Sequence, residues 1–246
     1  MDTFLDRNRR YGVAVLFYAG VHVLFRFAVT DILVLIPALT EFNDGVQELT
    51  ASGGALHNVI YYSILFSGIF WLLQEDVRQD FRTYFVVQRK SLVKVILSGV
   101  AFVFLGFVIG FTVRILNILL DVPPAANQAL VGSLIVSELA IPFIFVVIVL
   151  GPVVEEMIFR TALFRMIKHP VVAVVTSAIL FALIHLNAEP TVLSYVVNSL
   201  GYFVLGIVFG VIYLRSQKNI APLMIIHAIN NLVSTLLTLL QVSLGE

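Results

Sequence analysis

The sequence predicts an all-α protein, a polytopic transmembrane helical bundle of about seven to eight helices. Three observations support this prediction. Hydrophobic residues make up 60% of the 246 residues, only 12% are charged, and the mean hydropathy is +1.02. A soluble domain has about one quarter of its residues charged, so a soluble fold is excluded.

Apolar stretches long enough to cross a hydrocarbon core of about 30 Å define the predicted helices. They cover residues 11–35, 56–73, 92–120, 130–150, 171–186, 192–214 and 221–240. The dipeptide Gly151-Pro152 is predicted to break the helix at the end of the fourth stretch. Residues 151–167 would then form a kinked extension or an eighth element.

The placement of charge predicts orientation and excludes some functions. Lys and Arg gather before the first stretch and in alternate loops, whereas the opposite loops are acidic. Cytoplasmic loops carry the positive excess, so we predict a multi-pass protein of the cell membrane with a cytoplasmic N-terminus and an external C-terminus. The fifteen basic residues balance fifteen acidic ones, so nothing favours a nucleic-acid partner. The chain has no cysteine, which excludes thiolate metal sites and a cysteine nucleophile.

Ionisable residues inside apolar stretches are costly and therefore mark candidate functional positions. Glu155, Glu156 and Arg160 lie in one such segment. On a helix Glu156 and Arg160 stand four residues apart and are predicted to form an ion pair. Glu155 points about 100° away and remains available for another partner.

Two further segments supply imidazole and amide groups that could lie close to Glu155. Glu155 and His185 lie fifteen residues on either side of the turn at Pro170. Both should therefore sit about 20 Å from that turn and face each other across a helical hairpin. His227 and Asn231 share one face of the last helix and can join the same cavity.

Two kinds of chemistry fit this set of residues. A carboxylate beside an imidazole can take a proton from water, while a second imidazole and an amide stabilise the oxyanion of acyl hydrolysis. Alternatively, Glu155, His185 and His227 could ligate Zn²⁺, which would activate the water. Sequence spacing does not separate these alternatives. We favour the version without a metal and expect no cofactor, with zinc as the alternative.

The segments 151–160, 181–185 and 221–231 resemble the three signature motifs of the CPBP family. This family contains the CAAX prenyl endopeptidases of Rce1 type and the bacteriocin-processing and self-immunity proteins, also called Abi proteins. The resemblance covers roughly residues 140–232 and implies an intramembrane endopeptidase that cleaves a peptide precursor or a membrane-associated protein. Residues 1–130 would then be N-terminal transmembrane helices and residues 131–246 the catalytic core of one membrane domain.

The resemblance also implies roles for individual residues. Glu155 would be the general base, His185 its partner on the attacking water, and His227 and Asn231 the oxyanion site. The supporting residues would be Glu156, Arg160 and Phe181.

Other functions compatible with the sequence are a non-catalytic scaffold and a transporter. A scaffold would serve bacteriocin self-immunity or bind a membrane signalling partner such as a sensor kinase. A transporter would use the buried Glu and His residues as a proton relay. The intact motifs favour the enzyme, whose partners would be its substrate and the lipid bilayer.

Two remaining features are given structural interpretations. His22, Arg26 and Asp31 in the first stretch are predicted to snorkel or to pair with one another. The repeats Gly106-x-x-x-Gly110 and Gly206-x-x-x-Gly210 are predicted to allow close helix packing.

Overall fold

The computed structural model describes residues 4–43, 46–186 and 189–244, except for the side chains of residues 4–8, 26 and 27. Within these ranges the chain forms eight helices: α1 Phe4–Leu33, α2 Ala51–Phe81, α3 Leu92–Leu119, α4 Ala126–Leu134, α5 Ala140–Met166, α6 Pro170–Ile184, α7 Val192–Arg215 and α8 Ala221–Leu244. A π-helical turn, Arg82–Val87, extends α2. The predicted helical bundle is confirmed.

One short antiparallel hairpin, which the sequence analysis did not predict, joins α1 to α2. A 3-10 turn at Pro37–Leu39 precedes strand β1, Thr40–Asn43, which pairs with strand β2, Val46–Leu49. The strands have four residues each, too few for a clear alternation of polar and apolar side chains.

Six of the described helices are long and apolar enough to cross a membrane, namely α1, α2, α3, α5, α7 and α8. Helix α6 is apolar but has only 15 residues. At 1.5 Å per residue it extends about 22 Å, less than a hydrocarbon core of about 30 Å. A helix of this length that starts at one membrane surface ends inside the hydrocarbon layer. The six long apolar helices identify the chain as a multi-pass membrane protein.

The predicted position of the fourth membrane helix was wrong. Helix α4 ends at Leu134, and α5 runs without a break from Ala140 to Met166, through Gly151-Pro152. No separate eighth membrane element exists within this described stretch. The helix widens into a π turn, Val146–Leu150, where the Gly151 N–H donates to the Val146 carbonyl. This wider turn accommodates the missing N–H of Pro152, so the proline does not end the helix.

Close packing of α6 against α7 depends on two glycines, as predicted. A methyl group on Gly206 would lie 2.8 Å from the Cα of Ala178, and one on Gly210 would lie 3.2 Å from Val174. The repeat on α3 differs, because a methyl group on Gly110 would meet no atom within 4 Å. Only the repeat on α7 therefore requires both of its small residues for packing.

Gly206→Ala is expected to destabilise the protein by about 1–3 kcal/mol, because the added methyl group must push α7 away from the backbone of α6. Gly110→Ala is the matched control and should leave stability unchanged, since its methyl group enters open space. Thermal unfolding of the detergent-solubilised protein measures both variants. Equal unfolding temperatures for the two would contradict the packing argument.

Polar contacts near one end of the bundle join the first two helices to the last. The Tyr11 hydroxyl donates to Asp76, 2.9 Å away, and Arg10 pairs with the same carboxylate at 2.8 Å. Four residues further along α2, the Asp80 carboxylate accepts the N–H of Ile220, just before α8, at 2.9 Å. These contacts fix α1, α2 and α8 relative to one another. The division of the chain at residue 130 stays a prediction.

Candidate active site

A cluster of charged and polar side chains is buried where α5 meets α8. Glu155, Glu156 and Arg160 project from α5, and His227 projects from α8. Their relative exposures are 5%, 0%, 0% and 4%. Burying charged groups is costly unless each has a partner, so the contacts within the cluster determine what it can do.

Arg160 anchors the cluster. Its Nε lies 3.3 Å from Glu156, which confirms the predicted ion pair, and its Nη2 donates to the Gly206 carbonyl at 3.3 Å. The guanidinium carbon stands 5.1 Å from the ring centre of Phe181 and 5.2 Å from that of Phe209. Phe181 and, on α7, Phe209 therefore both contact Arg160; Phe209 was not predicted from the sequence, and the supporting role of Phe181 stays a prediction.

His227 bridges the two carboxylates. Its Nδ1 lies 2.8 Å from Glu156 Oε1, and its Nε2 lies 3.8 Å from Glu155 Oε2. Because a carboxylate only accepts hydrogen bonds, Nδ1 must carry the hydrogen that joins it to Glu156. Glu156 thus sets the tautomer and orientation of the imidazole, and Nε2 faces Glu155 across a short gap.

His185 caps the end of α6 in the same aromatic surroundings. Its Nδ1 donates to the Phe181 carbonyl at 2.7 Å, and its ring stacks on Tyr202 with centroids 4.5 Å apart. Phe181 contacts the rings of both His185 and His227. His185 interacts electrostatically with Glu155, but no direct hydrogen bond or ion pair joins these two described residues. The role predicted for His185 stays a prediction.

Asn231 holds α8 against the widened turn of α5. Its side-chain N–H donates to the Val147 carbonyl at 2.9 Å. That carbonyl lacks both the donor that an α-helix would supply and the donor that a π-helix would supply. Gly151 donates to Val146 instead, and Pro152 has no N–H. One amide hydrogen of Asn231 is therefore engaged by backbone, and its predicted part in an oxyanion site stays a prediction.

Tyr62 on α2 is a site residue that the sequence analysis missed. Its hydroxyl donates to Glu155 Oε1 at 3.3 Å. The available signal was a pair of hydroxyl groups, Tyr61-Tyr62, in the middle of an apolar membrane stretch.

The polar residues of α1 belong to the surroundings of this cluster. His22 Nδ1 lies 2.8 Å from the Tyr61 hydroxyl. Asp31 is exposed, and the side chain of Arg26 lies outside the described residues. His22 thus contacts Tyr61, and its predicted snorkelling or pairing with Asp31 stays a prediction.

The alternative zinc site would need Glu155, His185 and His227 to surround one metal ion. Within the described parts of the chain, no three His, Asp or Glu side chains are grouped so that they could hold one metal ion. Glu155 and His227 approach each other, and the Nδ1–H of His185 is engaged by the Phe181 carbonyl, which leaves its Nε2 lone pair available. The three predicted ligands are not gathered around one point in this arrangement, and the choice between the metal-free mechanism and zinc stays a prediction.

The four residues of this cluster lie within a segment that matches a known protein family. Residues 137–233 match the family model described as type II CAAX prenyl endopeptidase, Rce1-like. A relative from Mycoplasma capricolum subsp. capricolum, described as an uncharacterized protein, is 24% identical over 174 residues. The match covers 67% of this chain and 48% of the relative, so the chain spans about half the length of that protein. No solved structure matches the chain. The resemblance predicted from the three motifs is thus confirmed over residues 137–233, which match this model and form the Rce1-like segment of the chain.

Proposed function

We propose that the protein is an intramembrane endopeptidase that hydrolyses a peptide bond with a water molecule activated by Glu155. The observation that supports this proposal most strongly is the buried pair of Glu155 and His227, which Glu156 and Arg160 hold in place. A purely structural ion pair would need only Glu156 and Arg160. The second carboxylate, 3.8 Å from an imidazole nitrogen, adds acid–base chemistry to the cluster.

The proposed mechanism depends on which groups of the buried cluster carry protons before water attacks. Glu155 and Glu156 contribute two negative charges, and Arg160 contributes one positive charge. One further proton would balance these charges, and we assign it to Nε2 of His227. In this form Nδ1–H binds Glu156, and Nε2–H is a second donor directed toward the gap beside Glu155.

These protons allow direct attack by water on a peptide carbonyl. Glu155 Oε2 takes a proton from the water, and the resulting hydroxide forms a bond to the carbonyl carbon. The carbonyl oxygen becomes an oxyanion, which the Nε2–H of His227 stabilises; the second N–H of Asn231 is the other donor that we assign to it. When the C–N bond breaks, Glu155 returns the proton to the leaving amine. The products are a carboxylic acid and an amine, and Glu155 is again ionised.

His185 is assigned to the attacking water in this scheme. Its Nδ1–H is engaged by the Phe181 carbonyl, so neutral His185 presents an acceptor at Nε2. An acceptor can orient the second hydrogen of the water while Glu155 removes the first. His185 and His227 therefore have different functions, because their Nδ1 atoms donate to different partners.

The substrate class that we propose is a peptide precursor or a membrane-associated protein. The cluster lies among membrane-spanning helices, which favours a substrate that reaches it from the bilayer. The name of the matched family adds prenylated CAAX proteins as the first candidates for testing.

The test is hydrolysis by the purified protein in liposomes, assayed by mass spectrometry in water enriched in ¹⁸O. Prenylated CAAX peptides, their unprenylated forms and hydrophobic peptide precursors are supplied in parallel. We expect a defined cleavage that places one ¹⁸O atom in the new carboxylate and that persists after thorough chelation. Loss of cleavage on chelation with recovery on adding zinc would overturn the metal-free mechanism. Absence of cleavage across all peptides would favour the non-catalytic scaffold.

A further inference from the structure

Tyr62 reaches the candidate active site from outside the Rce1-like segment. It lies on α2, and its hydroxyl donates to Glu155 Oε1 at 3.3 Å. The ring runs beside the turn of α5 that leads to Glu155, since a methyl group on Gly151 would lie 3.6 Å from the Cε1 atom of Tyr62. The neighbouring ring of Tyr61 packs perpendicular to it, with centroids 5.0 Å apart. The tyrosine ring is thus held on both sides.

This hydrogen bond makes the two oxygens of Glu155 different. Oε1 accepts the Tyr62 hydroxyl, whereas Oε2 faces His227 Nε2. The final torsion of a glutamate side chain has a broad energy profile, so packing alone does not fix the plane of the carboxylate. A donor on one oxygen fixes that plane and determines which oxygen remains available to take a proton.

We propose that Tyr62 is a positioning residue for Glu155, which orients the carboxylate so that Oε2 receives the proton from the attacking water. This inference rests on the proposed function, because it assigns Tyr62 a role in the same reaction. This role gives the N-terminal helices a part in the proposed reaction, because Tyr62 lies on α2 and the family match begins only at residue 137.

Tyr61 provides a matched control on the same helix. Its hydroxyl lies 2.8 Å from His22 Nδ1 and makes no described hydrogen bond to Glu155. Tyr61→Phe and Tyr62→Phe each remove one hydroxyl group from adjacent residues and keep the ring. Any effect specific to Tyr62→Phe therefore reports the bond to Glu155.

The kinetic test compares kcat and KM of the two variants on a peptide that the wild-type protein cleaves. Tyr62→Phe should lower kcat about tenfold, the equivalent of losing one hydrogen bond to a charged group, and leave KM unchanged. Tyr61→Phe should keep kcat within about twofold of wild type. In the Glu155→Gln background Tyr62→Phe should cause no further loss, because a positioning residue acts through the residue it orients. Equal kcat for Tyr62→Phe and wild type, or equal losses for both tyrosine variants, would overturn the proposal.

An infrared measurement tests the contact without relying on activity. The difference spectrum between wild type and Glu155→Gln isolates the carboxylate band of Glu155. We expect Tyr62→Phe to shift this band and Tyr61→Phe to leave it in place. If the band does not shift and the protein cleaves peptide, the proposed role of Tyr62 is wrong while the proposed function stands. A shifted band in a protein that cleaves no peptide overturns the proposed function, and with it the catalytic meaning of the contact.

Discussion

Glu155→Gln is expected to lower peptide cleavage by about 10²–10⁴ while the protein still inserts and folds. Glutamine keeps the shape of the side chain, and its amide oxygen can still accept the hydrogen bond from Tyr62. The amide cannot take a proton from water, so the step that generates the nucleophile is lost. The remaining buried ion pair, Glu156 with Arg160, is untouched and should preserve the packing of α5.

The measurement is the initial rate of cleavage by equal amounts of folded protein, as judged by gel filtration and thermal unfolding. Glu75→Gln is the matched control, because the Glu75 side chain on α2 is 71% exposed and its ion pair among the described residues is with Arg78. This control should cleave at the wild-type rate. Cleavage by Glu155→Gln within tenfold of wild type would show that Glu155 is not the general base.

Arg160→Met is expected to cause the largest loss of stability, about 3–5 kcal/mol, because the two buried carboxylates lose one of their positively charged partners. Glu156 has no solvent exposure and relies on Arg160 and His227 for its partners. Methionine fills much of the same volume, so the loss reports the charge and its hydrogen bonds more than a cavity. We expect a marked fall in the yield of folded protein and in its unfolding temperature.

Arg78→Met tests whether burial is the cause. Arg78 also pairs with a nearby glutamate on its own helix, at 3.3 Å, but its side chain is 66% exposed. Exposed pairs contribute about 0–1 kcal/mol, so this variant should unfold at nearly the wild-type temperature. Similar destabilisation by Arg160→Met and Arg78→Met would refute the view that the buried pair stabilises the site.

Features that depend on local spacing could be predicted from the sequence. The ion pair between Glu156 and Arg160 follows from a separation of four residues on one helix. The membrane helices follow from hydropathy. The break near the fourth helix was not placed, although Ser137, Glu138 and Pro142 lie close to it, because the apolar residues on either side outweigh them in a hydropathy window.

Contacts between distant helices were harder to predict. The equal number of residues from Pro170 predicted the same depth for Glu155 and His185. It contained no information on how far each helix is rotated about its axis. His227 lies beside Glu155 and Glu156 because packing rotates α8 toward them, across 71 residues of sequence. Tyr62 reaches Glu155 across 93 residues, and its hydroxyl gave no periodic signal. The π turn Val146–Leu150 changes the direction of every later side chain on α5, and hydropathy does not reveal it.

The separation of Glu156 and His227 along the chain also has a consequence for biosynthesis. A ribosome completes α5 well before it reaches α8, so Glu156 and Arg160 can enter the bilayer already paired on one helix. Glu155 lacks its contact with His227 until α8 is inserted and packs against α5. Under the proposed function, the nascent protein is therefore inert during translation and becomes competent only when the last helix of the described bundle docks. A ribosome stalled before α8 would leave a membrane-inserted chain that cannot cleave its neighbours.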